Sequence, residues 1–369
     1  MPRIRPALRI GRSRKGAPGF APASETADRL SDLEAIPNNP GNLLGRYYVP
    51  EGLTGGPAPL VVILHGCTQN AAVYDQGSGW SRLADRHGFI LLFPEQVRAN
   101  NPLLCFNWFS GNDAQRGMGE AASIRSMIDV MAKAHTIDRE RIFVTGLSAG
   151  GAMASVMLAA YPEIFAAGAI IAGVAFGCAS GVAEAFDCMG GRARSDAAEL
   201  GARVRRASPH KGPWPRVQVW QGSADATVVP SNADAIVLQW SHLHGLPPEP
   251  TRTGEADGHP VRLWEGKDGT ALIEEYRIAG MAHGIPLDPG TGEGQSGVAG
   301  AHMLDVGLSS TDRIAAFFGI APALAEAPVR KPPAKAKRPA RARSVARPEP
   351  ANEVQAVIEK ALKSAGLMR

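Results

Sequence analysis

Three short segments carry residue types that could perform acyl transfer. Gly146-Leu147-Ser148-Ala149-Gly150 sets a serine two positions from a glycine on either side. A serine offered as a nucleophile sits on a tight, strained turn, and small neighbours two residues away leave its hydroxyl room to project. Downstream, Gln221-Gly222-Ser223-Ala224-Asp225 and Gly280-Met281-Ala282-His283-Gly284 each put one titratable side chain on a glycine-bearing turn. Ser, Asp and His in that chain order is one of the orders from which a hydroxyl, an imidazole and a carboxylate assemble a proton relay. Ser148 is therefore the expected nucleophile and His283 the general base. Asp225 is the expected carboxylate that fixes the imidazole tautomer and stabilises its charged form. Asp187, Asp234 and Asp305 are the alternative acids, and His302 and His210 the alternative bases. Asp234 falls inside a helical pattern, and His302 lies in a glycine-rich loop with no strand before it.

A serine adding to a carbonyl creates an oxyanion, which needs two donors already in position. The backbone N–H of Ala149 is one expected donor. The other is the N–H of Cys67, in His65-Gly66-Cys67-Thr68-Gln69 after an early strand. His65 itself reads as structural. Chemistry of this kind calls for no metal and no organic cofactor.

These turns need rigid elements to hold them. Strand-like runs occur at 43–49, 60–64, 89–93, 141–145, 169–172, 217–220 and 273–278, and helical patterns at 79–87, 118–135, 149–161, 231–244 and 311–318. Leu60-Val61-Val62-Ile63-Leu64 is apolar on both faces, as a strand covered on both sides must be. The alternation predicts an α/β domain with a mostly parallel central sheet and helices on both faces. Ser148 falls where strand gives way to helix, the setting a nucleophile elbow demands. Residues 177–215, rich in Gly, Ala and Arg, read as an irregular insertion over one sheet edge.

The ends differ from the middle. The chain has 369 residues and a formal net charge of +4. Six bases and no acid fall in the first fifteen residues, and eight bases and no acid in 330–347, so the body between them is acidic. The expected organisation is a basic, flexible extension over 1–41, the α/β domain over 42–320, and a basic Ala/Pro-rich disordered linker over 321–350. A short helix over 351–369 follows, with Val354, Val357, Ile358, Ala361, Leu362 and Ala365 on one face. No apolar run reaches the ~20 residues of a membrane helix, which predicts a soluble protein. No signal peptide is read at the N-terminus, because Pro6–Ile10 is too short an apolar stretch.

Together, Leu64-His65-Gly66-Cys67-Thr68-Gln69, Asn107-Trp108-Phe109, Gly146-Leu147-Ser148-Ala149-Gly150-Gly151, Gln221-Gly222-Ser223-Ala224-Asp225 and Gly280-Met281-Ala282-His283 resemble the poly(3-hydroxybutyrate) depolymerase family of esterases, type 1 catalytic domain. The resemblance covers about residues 42–320 and implies an α/β-hydrolase fold. It also implies Ser148, Asp225 and His283 as a catalytic triad, and hydrolysis of polyester or oligoester chains of short 3-hydroxyacids through an acyl-enzyme. It further implies that Trp108 lies in the crevice that holds the chain; an ordinary buried aromatic is the competing reading. Relatives that hydrolyse feruloyl or acetyl esters of polysaccharides supply a second function. A non-catalytic protein tethering a granule or a polyanion through the basic C-terminal tail is a third. Four cysteines fit either two disulfides or four free thiols. With no signal peptide read, the expected location is the cytoplasm, on storage granules, with secretion as the alternative.

Overall fold

A computed structural model describes residues 28–324, except 54, 55 and 194. Ten strands form one sheet: β1 (Ser31–Asp32), β2 (Leu44–Tyr48), β3 (Ala58–Leu64), β4 (Ile90–Glu95), β5 (Ile137–Leu147), β6 (Ala167–Ile171), β7 (Arg216–Gly222), β8 (Arg252–Ala256), β9 (His259–Glu265) and β10 (Ala271–Ile278). Their spatial order is β1-β2-β4-β3-β5-β6-β7-β10-β9-β8. The six central strands from β4 to β10 run parallel, and the two edges are antiparallel. A two-stranded parallel ladder, β11 (Ile285–Leu287) with β12 (Met303–Asp305), stands apart.

Helices cover both faces, and β3 shows why. All seven of its residues are buried. Leu60, Val62 and Leu64 face a core shared with α3 (Gly119–Ala134), α4 (Ala149–Ala160) and α7 (Ser231–His244). Val61 and Ile63 face a second core, formed with α1 (Ala71–Ser78), α2 (Trp80–His87) and α8 (Ser310–Phe317). Successive side chains of a strand point to opposite faces, so a doubly covered strand must be apolar throughout. Each such residue contributes about 1.5–3 kcal/mol by its burial.

Three regions depart from the sequence reading. Residues 177–215 are not irregular: they hold α5 (Val182–Met189) and α6 (Ala197–Ala207). Asp196 caps α6, accepting from the Glu199 N–H at 2.8 Å, and Leu200, Gly201 and Val204 form its buried side. Strands β8 and β9 extend the sheet where no strand was expected. Their exposed edge carries Arg, Glu and Gly in place of an apolar run. Residues 28–41, expected within the flexible extension, pack on the body. Leu30 is buried, Arg29 bonds Asp85 at 2.5 Å, and β1 pairs with β2. The rest of the 1–41 extension, the linker from residue 325 onward and the helix expected at 351–369 lie outside the described residues. Among the described residues, no helix is long and apolar enough to cross a membrane.

Candidate active site

Ser148 lies between β5 and α4 with φ 56° and ψ −117°, in the left-handed half of backbone space that L-residues avoid. Its neighbours explain how the turn closes. A Cβ on Gly146 would lie 2.4 Å from the Gly150 carbonyl oxygen, and one on Gly150 would lie 2.1 Å from that of Leu64. Only glycine lets β3, β5 and α4 approach so closely. The Ser148 N–H donates to Ile171 O at 2.9 Å, which pins the strained residue to β6. The Ala149 N–H is the first of α4, one of the four that a helix leaves without an internal partner. It also lies at the positive end of the helix dipole.

The loop after β3 brings Cys67 beside the elbow. Gly66 N–H donates to Gln69 Oε1 at 2.9 Å, and Thr68 N–H donates to Leu103 O at 2.6 Å, with Thr68 at φ 63°. A disulfide joins Cys67 to Cys105. Among the described residues the Cys67 N–H has no protein acceptor, so both it and the Ala149 N–H are available to a ligand. His65, buried beneath this loop, donates from Nδ1 to Gly66 O at 2.8 Å and accepts the Gln96 N–H on Nε2 at 3.1 Å. Burial pushes its pKa down to about 4, which keeps it neutral, and both ring nitrogens are taken up by the backbone around it.

On the far side of β6, Asp225 follows β7 and His283 follows β10. The Asp225 carboxylate is fully buried and saturated with donors. Its Oδ1 accepts the N–H groups of Thr227 and Val228 at 2.8 and 2.9 Å. Its Oδ2 accepts Gln221 Nε2 at 3.2 Å and pairs with His283 Nδ1 at 2.7 Å. His283 Nε2 stands 2.9 Å from Ser148 Oγ. With Nδ1–H held by the aspartate, Nε2 faces the serine as a base. The three side chains, 77 and 58 residues apart along the chain, thus form one continuous hydrogen-bonded relay.

The relay opens into a crevice of about 420 Å³ with a largely apolar lining. Trp108 and Phe109 form part of one wall, edge to face at 5.4 Å. Trp108 is both crevice lining and buried aromatic, since it also belongs to the core around α4. Val182, Ala185, Phe186 and Met189 of α5 contribute another stretch of lining.

The profile of the Esterase PHB depolymerase family matches residues 44–257. Poly(3-hydroxyalkanoate) depolymerase C of Paucimonas lemoignei is 44% identical over 302 residues, covering 82% of this chain and 72% of that one. The chain belongs to the PHB depolymerase family of esterases. An acetylxylan esterase of Coprinopsis cinerea is 34% identical over 273 residues, covering 72% of each chain. Among solved structures, the acetyl xylan esterase from Aspergillus awamori superposes with a TM-score of 0.66 at 25% identity, covering 79% of this chain and 99% of that one. The fold is that of the α/β hydrolases, and the enzyme is a carboxylic ester hydrolase.

The alternative acids of this family member lie elsewhere. Asp187 pairs with Arg192, and Asp234 with Arg262 and Arg277, while the Asp305 carboxylate accepts the Gly307 N–H. His210 bonds Pro213 O. His302 lies beside the relay without joining it: its Nδ1 is 3.2 Å from the His283 carbonyl oxygen, and it lines the crevice. Sequence reasoning passed over Gln221, although it lies in a quoted motif, and the whole α5 wall. That wall is cross-linked by the Cys178–Cys188 disulfide, and its Met189 carbonyl accepts the Val229 N–H at 2.9 Å just past Asp225. The described residues contain no free cysteine.

Proposed function

We propose that this esterase cleaves the ester bonds of poly(3-hydroxyalkanoate), with poly(3-hydroxybutyrate) or its short oligomers as substrate, through an acyl-enzyme on Ser148. The observation that carries the reading is the relay from Ser148 through His283 to Asp225 at the floor of an apolar crevice. His283 Nε2 takes the Ser148 proton as Oγ adds to the ester carbonyl carbon. The N–H groups of Cys67 and Ala149 hold the oxyanion, while Asp225 stabilises the imidazolium. The tetrahedral adduct collapses, the ester C–O bond breaks, and His283 passes its proton to the departing alkoxide, which leaves as a hydroxyl chain end. Water then repeats the steps, releasing a carboxylic acid and restoring Ser148.

Relatedness to the poly(3-hydroxyalkanoate) depolymerase supports the polyester substrate, and the lining supports it independently. A 3-hydroxyalkanoate chain presents ester groups and alkyl branches with no hydroxyls along its length. Phe186, Met189, Val182 and Trp108 suit such a chain better than the hydroxyls of a sugar ester, which need polar partners when buried. The pairing of all four cysteines supports work in an oxidising compartment, the alternative to a granule in the cytoplasm, and a free-thiol count of zero on protein from its own host would bear this out.

Rates on poly(3-hydroxybutyrate) film, hydroxybutyrate oligomers and methyl ferulate, for the native chain and for Ser148→Ala, test the reading. Polyester and oligomers are expected to be turned over well ahead of the ferulate, with kcat lost by about 10⁶-fold in the variant. Faster hydrolysis of the ferulate, or a Ser148→Ala enzyme that still turns over, overturns it. Binding to a granule or polyanion through the basic tail is part of the same proposal. A chain lacking residues 325–369 should keep its rate on oligomers and lose retention on polymer granules; unchanged retention removes the tail from the account.

A further inference from the structure

Glu120 is the second residue of α3. A glutamate in the first turn of a helix ordinarily meets solvent, yet this side chain is 1% exposed and turned beneath the crevice wall. Its Oε2 accepts the Asn107 N–H at 2.8 Å. Its Oε1 accepts Asn107 Nδ2 at 2.8 Å and Gln96 Nε2 at 2.6 Å. Both partners lead onward to one cysteine. Gln96 Nε2 also donates to Cys105 O at 3.1 Å. Asn107 Oδ1 accepts Asn101 Nδ2 at 3.0 Å, and Asn101 Oδ1 in turn accepts the N–H groups of Leu103 and Cys105 at 3.0 and 3.4 Å. Cys105 is covalently joined to Cys67, and Trp108 follows Asn107 in the chain. One buried carboxylate is thus the hub from which the Cys67 loop and the Trp108 wall are held.

We propose that Glu120 is a positioning residue for ester hydrolysis: its ionised carboxylate fixes Asn107 and Gln96, and through Cys105 sets the Cys67 N–H where the oxyanion forms. The inference rests on the proposed serine mechanism and on Cys67 as an oxyanion donor within it. Every group recorded against the carboxylate oxygens is a donor, so the ionised form satisfies all three. Protonation places an O–H against one of them and displaces it. Of the groups that face Glu120, Asp113 is the charged one, its Oδ1 accepting the Glu120 N–H at 3.3 Å. Gln96 and Asn107 are neutral, and His65, which reaches the Gln96 N–H, is held uncharged. Burial pushes the Glu120 carboxyl up to about 8, with the hydrogen bonds from Asn107 and Gln96 opposing and Asp113 adding to the rise. The group therefore changes charge within the working range of a serine hydrolase.

The sign of the effect on stability is opposite to that on activity. A glutamate whose folded pKa is raised from 4.5 to about 8 binds its proton more tightly when folded, so stability declines as pH rises through that interval. Activity should climb as the carboxylate forms. A role in packing alone would move both together.

The test is kcat and KM on p-nitrophenyl butyrate, with thermal midpoints, between pH 6.5 and 9.5 for the native chain, Glu120→Gln and Glu120→Asp. The native kcat should rise through an ionisation near pH 8 while the thermal midpoint falls. Glu120→Gln should lose that rise and lower kcat at pH 9 by about tenfold with KM changed less than about twofold. Glu120→Asp, which keeps an ionising group, should recover part of the rise. A Glu120→Gln enzyme with the native kcat and the native pH profile overturns the proposal. If that variant does not fold, the native profile decides, and a flat kcat from pH 7 to 9 overturns it. Ser148→Ala run in parallel separates the two claims: an inactive Ser148→Ala beside an unaffected Glu120→Gln defeats Glu120 alone, whereas an active Ser148→Ala defeats the serine mechanism.

Discussion

The relay is assembled from two halves that lie on either side of β6 and are built by different means. The nucleophile half hangs on the adjacent strands β3 and β5, and its geometry is a matter of backbone. Ser148 is forced to a positive φ, Gly146 and Gly150 let main-chain atoms approach to distances no side chain permits, and a disulfide ties the Cys67 loop. The acid–base half hangs on the adjacent strands β7 and β10; Gly222, against the Met281 and Ala282 carbonyls, lets its two turns meet, and hydrogen bonds to the Asp225 carboxylate complete it. Asp225 is held by Thr227, Val228 and Gln221, and its Oδ2 orients the His283 ring through Nδ1. Strain is concentrated where the reacting oxygen must be fixed against its oxyanion donors. The proton-carrying half relies on satisfied polar contacts.

That contrast can be broken from either side. The largest effect is expected from Asp225→Asn. A carboxamide nitrogen facing His283 pairs with an unprotonated Nδ1, which moves the imidazole proton to Nε2 and leaves no base for Ser148. Activity should fall by about 10⁴-fold with the thermal midpoint nearly unchanged, measured by kcat and calorimetry. Gly150→Ala should produce the converse pattern. Its methyl would lie 2.1 Å from Leu64 O and 2.5 Å from His65 O, so β3 and α4 must separate. The expected cost is about 3 kcal/mol of stability together with a 10²- to 10³-fold loss of kcat, on the order of losing one oxyanion donor. A stable, active Gly150→Ala enzyme would remove the distinction. The smallest effect concerns His65. Because its folded pKa is depressed from 6.5 to about 4, the unfolded chain binds the proton first, so stability is lost as pH falls through that interval. His244, also lowered to about 4 by burial, contributes in the same direction. Thermal midpoints from pH 7 to 4.5 should fall, and His65→Gln should shallow the slope; an unchanged slope would show that His65 is not among the groups that titrate on unfolding.

The nucleophile half was legible from residues because its constraints are local. Gly-x-Ser-x-Gly between an apolar strand and a helix encodes the turn in five positions, and the loop from His65 to Gln69 follows a run that only a covered strand tolerates. Asp225 and His283 were legible through chain order and glycine-bearing turns, which locate a loop though not its contacts. What escaped was non-local. The α5 wall has apolar residues turned toward the crevice, so Gly and Ala around it read as loop. Strands β8 and β9 were missed because an antiparallel edge tolerates Gly254, Pro260 and charged residues that a central strand does not. Nothing in the sequence distinguishes Glu120 from any acid in a first helical turn; its burial against Asn107 and Gln96 sets it apart.

The insertion that bears α5 and α6 leaves the sheet after β6 and rejoins it at β7, at the seam between the two halves. Remodelling it would reshape the surface that meets the acyl chain while the serine turn keeps its own anchors, and a graft that retains a carbonyl in place of Met189 O also keeps the tie to Val229 beside Asp225. A graft exchanged between residues 177 and 215 is thus a route by which one scaffold could acquire a different diet without relearning its chemistry.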